Sequence, residues 1–151
     1  MESQLQPPSG QIEGSRHLYP VRVLFEDTDL SGIAYHANYL KWCERARSDL
    51  LRVLGIDQRA AFEAGEGVYA VSKAQIKWRR PARLDDELVV TTRALELRAA
   101  SARMEQRVLR GEELLAEVDI VAAFVTPEGR PRRQPDDWRR AFEHFATKVP
   151  E

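Results

Sequence analysis

The sequence predicts an α+β domain in which one long helix packs against an antiparallel sheet. Apolar residues recur at spacings of three and four between Tyr39 and Leu54, which is typical of one buried helix face. From Val68 to Thr126 the apolar period changes to two, which indicates consecutive strands. The joins between these strands are short and therefore require antiparallel pairing. A chain of 151 residues fits one domain, which we expect to span residues 17–148.

The start of the chain is predicted to contain a tail, a strand and a helix. Residues 1–16 contain almost nothing apolar, so we expect a disordered N-terminal tail. The alternating segment Leu18 to Glu26 predicts a strand. Asn38 is expected to cap the long helix and Gly55 to end it.

The second half of the chain predicts four strands and a short helix. The strands are expected at Val68 to Trp78, Glu87 to Leu97, Ala102 to Arg110 and Leu114 to Thr126. The last of these is nearly continuous in apolar residues, as expected for a central strand. The closing helix is expected from Asp136 to Phe145. Because only the long helix can cover the sheet, the outline is a five-stranded antiparallel sheet wrapped around a long central helix, which matches the hotdog fold.

Composition excludes several classes of function. There are 23 Lys and Arg against 24 Asp and Glu, so the bulk charge disfavours a general nucleic-acid or membrane-surface binder. No apolar run is long enough to span a bilayer, and the N-terminal residues lack a signal-peptide core, so we expect a cytoplasmic protein without stable membrane insertion. Cys43 is the single cysteine and the three histidines are scattered, so neither an intrachain disulfide nor a metal site is expected.

One segment, FEDTDLSGIAYHANYLKWCERAR from Phe25 to Arg47, is specific enough to indicate a family. It resembles the 4-hydroxybenzoyl-CoA thioesterase family of hotdog proteins, and within it the branch of bacterial acyl-CoA thioesterases associated with the Tol-Pal system. The likeness covers Leu18 to Phe145. It implies hydrolysis of an acyl-CoA thioester to free acid and CoA, without a metal or other cofactor.

Asp29 and His36 are the candidate catalytic residues. A carboxylate just before a helix start can act as a nucleophile or general base, and a free backbone N–H there can stabilise an oxyanion. The alternative is that Asp27 and Asp29 only form turns and caps. The resemblance favours chemistry: it implies that Asp29 is the catalytic acid, Asp27 its structural neighbour and the His36 backbone N–H the oxyanion donor. It also implies a secondary role for the His36 imidazole.

Three further residues in this motif affect the hypothesis. The related branch carries Tyr where this chain has Phe25, which removes a hydroxyl from the site. Cys43 falls on the inner helix face, where a free cysteine behaves as a small apolar side chain, so we do not expect it to act as a nucleophile. Glu44 is expected to form a structural ion pair with Arg47 or a neighbour.

Two basic segments are candidate CoA sites. Arginine and lysine bind phosphate through charge-assisted hydrogen bonds, and basic residues are concentrated between Lys73 and Arg83 and again from Arg130. We expect the CoA-binding residues to be Arg79, Arg80, Arg130 and Arg132; for Arg130 and Arg132 the resemblance implies a nucleotide-binding position. The alternative for each of them is a solvated strand edge.

The sequence leaves other questions open. A non-catalytic acyl-CoA-binding or envelope scaffold protein on the same fold is one alternative function, and a hydratase or dehydratase is another. The acyl group could be aryl, short aliphatic or long aliphatic, and the carrier could be CoA or an acyl-carrier protein. We expect a homodimer or homotetramer with the sites at the subunit interface, because the sheet leaves an edge and an apolar seam exposed.

Overall fold

The computed structural model describes residues 5–147. In these residues a six-stranded antiparallel sheet packs against a long helix, which confirms the predicted α+β hotdog architecture. The strands are β1 (Gln11–Glu13), β2 (Arg16–Arg22), β3 (Val68–Trp78), β4 (Glu87–Leu97), β5 (Ser101–Arg110) and β6 (Glu113–Val125). The helices are α1 (Asn38–Val53), α2 (Gln58–Glu63) and α3 (Asp136–Thr147).

The strand order across the sheet is β1-β2-β4-β5-β6-β3, so β1 and β3 lie at its edges. The sixth strand, β1, comes from the segment predicted to be a disordered tail. It pairs with β2 from Gln11 opposite Leu18 to Glu13 opposite Arg16. The prediction was wrong for these residues because pairing with β2 and hydrogen bonds to α1 stabilise a segment with few apolar side chains. Residues 1–4 of the predicted tail and residue 148 of the predicted domain lie outside the described residues.

The helix α1 covers one face of the sheet. Its buried residues include Tyr39, Cys43, Ala46 and Leu50, which are the spacings expected for one apolar stripe. Opposite it, Val108 of β5 and other alternate strand residues are buried, while the intervening charged residues face away from the helix. The core therefore lies between α1 and this inner sheet face.

The largest differences from the predicted boundaries lie on either side of the Asp29 loop, while several other element ends shift by one or two residues. The strand β2 ends at Arg22, and Phe25–Asp27 form a short 3-10 turn instead of continuing it. Asn38 is the first residue of α1 and does not cap it; its side-chain amide instead donates to the carbonyl oxygen of Asp27 at 2.7 Å. The expected stop at Gly55 is confirmed, since its φ of +81° directly after the helix is a conformation that glycine adopts without strain.

A second core cluster joins α3 to the sheet. Phe142 and Phe145 are buried on α3, with Trp138 nearby, and they pack with Phe124 of β6. This cluster closes the end of the sheet where β3 begins. None of the helices in the described residues is both long and apolar enough to cross a membrane.

Candidate active site

The loop that carries Asp29 is fixed to the rest of the domain. Thr28 and Ala34 bridge across the loop base, and Ile33 bridges to Arg83 in the segment between β3 and β4. The backbone N–H of Ala34 donates to the carbonyl oxygen of Ala82 at 2.8 Å. The position of the loop is thus set by backbone pairing before any substrate is present.

Asp27 organises the approach to the helix. Its carboxylate is buried and accepts from the backbone N–H of Leu24 at 2.9 Å. Its carbonyl oxygen accepts from the Tyr35 N–H at 2.8 Å and from the Asn38 amide at 2.7 Å. These hydrogen bonds hold the 3-10 turn against the start of α1. Asp27 therefore stabilises the local fold, and its buried carboxylate has little access to a substrate.

The Asp29 carboxylate is exposed, and within the described residues it accepts hydrogen bonds on one oxygen only. Its Oδ1 accepts from the Ser31 hydroxyl and from the Ser31 backbone N–H, the latter at 2.8 Å. The bond from the Ser31 hydroxyl, with that from the backbone N–H, holds the pKa of Asp29 below its usual value. Asp29 is therefore ionised at neutral pH, with its Oδ2 free to accept a proton or to attack.

His36 lies two residues before α1. Its exposed ring contacts Trp78 edge to face with ring centroids 5.6 Å apart, and its carbonyl oxygen accepts from Trp78 Nε1 at 3.1 Å. The backbone N–H of His36 donates to no acceptor within residues 5–147. An unused N–H at the start of a sixteen-residue helix adds to the positive end of the helix dipole, which suits it to an oxyanion.

A shallow cavity of about 270 Å³ opens beside His36. Its walls include Tyr39, Trp78 and the two predicted CoA-binding residues Arg79 and Arg80. The Tyr39 hydroxyl accepts from the Ala82 N–H at 2.9 Å, which holds the Arg80 to Ala82 segment against the helix. The cavity is thus lined by His36, by an aromatic wall and by two arginines.

Asp29 does not line this cavity, and no hydrogen bond joins its carboxylate to the His36 ring. The structure thus places the two candidate catalytic residues at the two ends of one anchored loop and not in direct contact. Within a single subunit they do not form an Asp–His pair.

The four predicted CoA-binding arginines form two separate groups. Arg79 donates to Glu117 at 2.6 and 2.8 Å and Arg80 to Glu113 at 2.9 Å, so both guanidinium groups are already paired with carboxylates of β6. Arg132 donates to the carbonyl oxygen of Glu66 at 2.5 Å, and the exposed Arg130 side chain forms no bond in the described residues.

These two groups lie at opposite ends of β6. Trp78, next to Arg79, pairs with Ala116, whereas the Arg132 N–H donates to the carbonyl oxygen of Phe124. Eight residues of antiparallel strand separate Ala116 from Phe124, or about 27 Å. One subunit cannot bring both groups to the same phosphate.

The expected ion pair between Glu44 and Arg47 is absent. Arg47 donates instead to the Gln106 side chain of β5 at 2.7 Å, and Glu44 forms no ion pair within the described chain. The i,i+3 spacing permits a pair, but Arg47 turns inward to a partner that lies far away in sequence. The predicted position of Cys43 on the inner helix face is confirmed: the thiol is fully buried, and burial raises its pKa to about 12.

Sequence reasoning missed a buried pair, His17 and Asp49. The His17 side chain is 0% exposed and its Nε2 lies 2.7 Å from Asp49 Oδ2. Asp49 also accepts from the Gly10 N–H at 2.8 Å and from the Ser9 hydroxyl at 3.0 Å. The pair therefore fastens the N-terminal segment to α1. No local signal could have shown it, because its members are 32 positions apart.

Comparison with known proteins identifies relatives of this chain. Residues 23–144 match the profile of the Thioesterase-like superfamily. The chain is 36% identical over 128 residues to the acyl-CoA thioesterase YbgC of Haemophilus influenzae, covering 84% of this chain and 94% of that protein. It is 38% identical over 119 residues to the acyl-CoA thioester hydrolase YbgC of Escherichia coli O6:H1, covering 78% and 88%.

A solved structure supports the same relationship. The crystal structure of a probable thioesterase from Bartonella henselae superimposes with a TM-score of 0.75 at 37% identity, covering 80% of this chain and 99% of that one. The residues that match this superfamily include the Asp29 loop, His36 and α1. The chain therefore belongs to the thioesterase-like superfamily.

Proposed function

We propose that this protein hydrolyses acyl-CoA thioesters, with Asp29 as nucleophile or general base and the His36 backbone N–H as oxyanion donor. The observation that carries the proposal is the anchored loop that leads from an ionised, half-free carboxylate to an unused N–H at a helix start. Thioester hydrolysis needs these two groups: one to deliver the attacking oxygen and one to receive the charge that develops on the carbonyl oxygen.

Asp29 can act either as a general base or as a nucleophile. As a general base, its Oδ2 takes a proton from water, and the water oxygen bonds to the thioester carbon. The tetrahedral oxyanion accepts from the His36 N–H and then collapses, which breaks the C–S bond. The departing CoA thiolate takes the proton from Asp29. As a nucleophile, the carboxylate expels the thiolate directly, and water then hydrolyses the mixed anhydride.

Arg79 and Arg80 are the better placed of the proposed CoA-binding residues, because they line the cavity beside His36. Their bonds to Glu117 and Glu113 must be shared or exchanged when a phosphate binds. Exposed pairs of this kind contribute little free energy, about 0–1 kcal/mol, so a CoA phosphate can compete for the guanidinium groups.

The edge strand β3 supports assembly into a dimer. It is exposed along most of its length, and within the described residues only β6 pairs with it, although it is eleven residues long. Large apolar side chains are exposed along β3, on the 3-10 turn and on the loop that carries Asp29: Phe25, Leu30, Tyr35, Val71 and Trp78. A long exposed edge next to apolar side chains is normally covered by another chain.

Pairing of two β3 strands about a two-fold axis would complete the site. In antiparallel pairing, the Val68 end of one strand lies opposite the Trp78 end of its partner. That geometry carries Arg130 and Arg132 of one subunit toward Arg79 and Arg80 of the other. A dimer could therefore unite the two basic groups that one subunit holds about 27 Å apart.

Light scattering tests the assembly. We expect a dimer, or a tetramer built from such dimers, at micromolar concentration; a stable monomer contradicts the proposed interface. Val71→Asp should weaken the dimer, because it places a charge on the exposed edge. Leu95→Asp is the matched control, since Leu95 is similarly exposed but lies on the internal strand β4.

A non-catalytic protein that binds acyl-CoA, or a scaffold on this fold, is the alternative. Release of free thiol from a panel of aryl, short aliphatic and long aliphatic CoA esters separates the two. Turnover of any member supports the hydrolase, and binding without thiol release supports the scaffold. An acyl-carrier protein as the thiol carrier, and a cytoplasmic location, stay predictions; the same panel on carrier protein tests the first.

A further inference from the structure

A second, larger cavity lies further along α1, away from His36. Its volume is about 420 Å³, and its walls come from α1, α2, β3, β5, β6 and α3. The floor is apolar and includes Leu50, Met104 and Phe142, whereas Glu44, Arg47 and Ser48 of α1 contribute polar groups. A cavity of this size with an apolar floor and few polar groups is typical of a small-molecule site.

Arg47 is the unusual group in this cavity. Its guanidinium is half-buried, and its one hydrogen bond within residues 5–147 runs from Nη1 to Gln106 Oε1 at 2.7 Å. Gln106 is fully buried, and its Nε2 donates to the Cys43 carbonyl oxygen at 2.9 Å and to the Thr92 hydroxyl at 3.1 Å. These bonds fix the orientation of Gln106, and through it the position of Arg47.

The remaining N–H groups of Arg47 are not matched by a carboxylate. No Asp or Glu oxygen in the described part of the chain lies within 4.0 Å of the guanidinium. Burial lowers the pKa of Arg47, although the nearby Glu44 carboxylate opposes that change. A partly desolvated guanidinium with spare donors is stabilised most by a carboxylate, which it can bind through two parallel hydrogen bonds.

We propose that this cavity holds the acyl part of the substrate and that Arg47 selects acyl groups ending in a carboxylate. The methylene chain of such a group would contact Leu50, Met104 and Phe142, and its terminal carboxylate would bind Arg47. This inference rests on the proposed function, and it uses the proposed dimer, in which the Tyr69 end of β3 adjoins the partner's His36 cavity. The substrate class is an ω-carboxyacyl thioester.

Glu44 provides an opposing charge at the cavity rim. Its side chain is exposed, so solvent screens its repulsion of a bound carboxylate, whereas Arg47 acts by direct contact. The two residues therefore predict effects of opposite sign. Neutralising Arg47 should remove the preference for a carboxylate, and neutralising Glu44 should increase it.

Binding of non-hydrolysable analogues tests the proposal without any turnover. The probes are S-(ω-carboxyalkyl)-CoA and S-alkyl-CoA thioethers of equal chain length, titrated by calorimetry. We expect the wild-type protein to bind the carboxylated member about tenfold more tightly or better, as charge-assisted bonds predict. In Arg47→Gln the two affinities should become equal, while Arg47→Lys should keep part of the preference.

Two further variants make the result decisive. Glu44→Gln should raise the preference two- to threefold, and it reports on the cavity even if Arg47→Gln does not fold. Arg52→Gln is the matched control, because Arg52 is exposed on the same helix but does not line the cavity. The proposal is overturned if the wild-type protein binds both analogues equally or if Arg47→Gln retains the preference. Failure of the proposed function appears separately, as absence of thiol release from bound CoA esters.

Discussion

The described residues contain two combinations of aspartate and histidine, one buried and one exposed, which differ in their contacts and in the hydrogen-bonding groups they leave free. His17 and Asp49 are buried and in direct contact, and each Asp49 oxygen accepts from the N-terminal segment. Asp29 and His36 are exposed and not in contact, with one free carboxylate oxygen and one free N–H. The close pair has the shape of a catalytic dyad, yet only the open pair is accessible to a substrate.

Enclosure explains the difference in role. Gly10 packs directly against the buried pair. A Cβ added at Gly10 would also overlap the Leu18 carbonyl oxygen, so no side chain fits there. Among residues 5–147 the buried Nδ1 of His17 has no hydrogen-bond partner, and its Nε2 contacts an acid that already accepts two other hydrogen bonds. A neutral His17 that donates through Nε2 fits these contacts. We infer that this pair stabilises the fold, whereas the open pair performs the chemistry.

The largest effect is expected from Asp29→Asn. Asn keeps an oxygen that can accept from Ser31, so the loop should hold its conformation, but the carboxylate that attacks or takes a proton is lost. We expect kcat for thiol release to fall a hundredfold or more, with little change in KM or in unfolding free energy. Asp57→Asn, the same change at the cap of α2, is the control. Wild-type turnover in a folded Asp29→Asn protein would make the carboxylate structural.

The buried pair predicts the reverse result. Asp49→Ala removes the acceptor for His17, Ser9 and Gly10 together, and leaving buried donors unsatisfied costs about 2–4 kcal/mol in unfolding free energy. Denaturant unfolding measures this loss, and kcat of the folded fraction should stay near wild type. Glu112→Ala, an exposed change in the β5–β6 turn, should alter neither quantity. A stable but inactive Asp49→Ala protein would show instead that this pair takes part in catalysis.

A smaller effect is expected from pH. Burial lowers the pKa of His17 although Asp49 opposes the shift, so the unfolded chain binds a proton at a higher pH than the folded one. Stability is therefore complete above about pH 6.5 and is lost as pH falls from there toward the lowered pKa. The slope for one proton is at most about 1.4 kcal/mol per pH unit. His17→Gln should flatten the unfolding free energy between pH 7.5 and 5.5; an unchanged slope would assign it to other groups.

A second acid effect should appear lower on the pH scale. Burial tends to raise the pKa of Asp49, but its hydrogen bonds from His17, Gly10 and Ser9 outweigh burial and lower it. The stability that ionised Asp49 contributes is present above the ordinary aspartate pKa, and it is lost only as pH falls through the lowered pKa. The two windows are therefore separable in one titration of stability against pH.

The contrast between the two pairs also shows what sequence could predict. The regular apolar period of α1 was sufficient to predict that helix from local spacing. The roles of Asp29 and His36 came from the resemblance of one continuous segment to a family, and they stay a prediction. The contact between His17 and Asp49, and the turn of Arg47 toward Gln106, depend on which elements pack together. Local rules predicted an Asn38 cap and a Glu44–Arg47 pair, and in both cases a more distant partner bound the side chain.

The same argument applies to the N-terminal segment. Residues 9–13 have the composition of a tail, and nothing in their own sequence compensates for the entropy of ordering them. They are ordered because β2 offers an unpaired edge and Asp49 offers two acceptor oxygens. Both partners lie later in the chain, so composition alone pointed to disorder.

The smallest effect is expected from Phe25→Tyr, at the position where the resembling branch carries a hydroxyl. The Phe25 side chain is 81% exposed and lies at the start of the 3-10 turn, so a hydroxyl can be added without steric conflict. If Asp29 and the His36 N–H provide most of the stabilisation of the transition state, the added hydroxyl should change kcat/KM by less than about tenfold, which corresponds to roughly 1.4 kcal/mol. Steady-state thiol release measures this, with Phe62→Tyr on α2 as the exposed control. A gain far above tenfold would mean that the open pair is incomplete without the hydroxyl, and it would strengthen the non-catalytic alternative for the natural sequence.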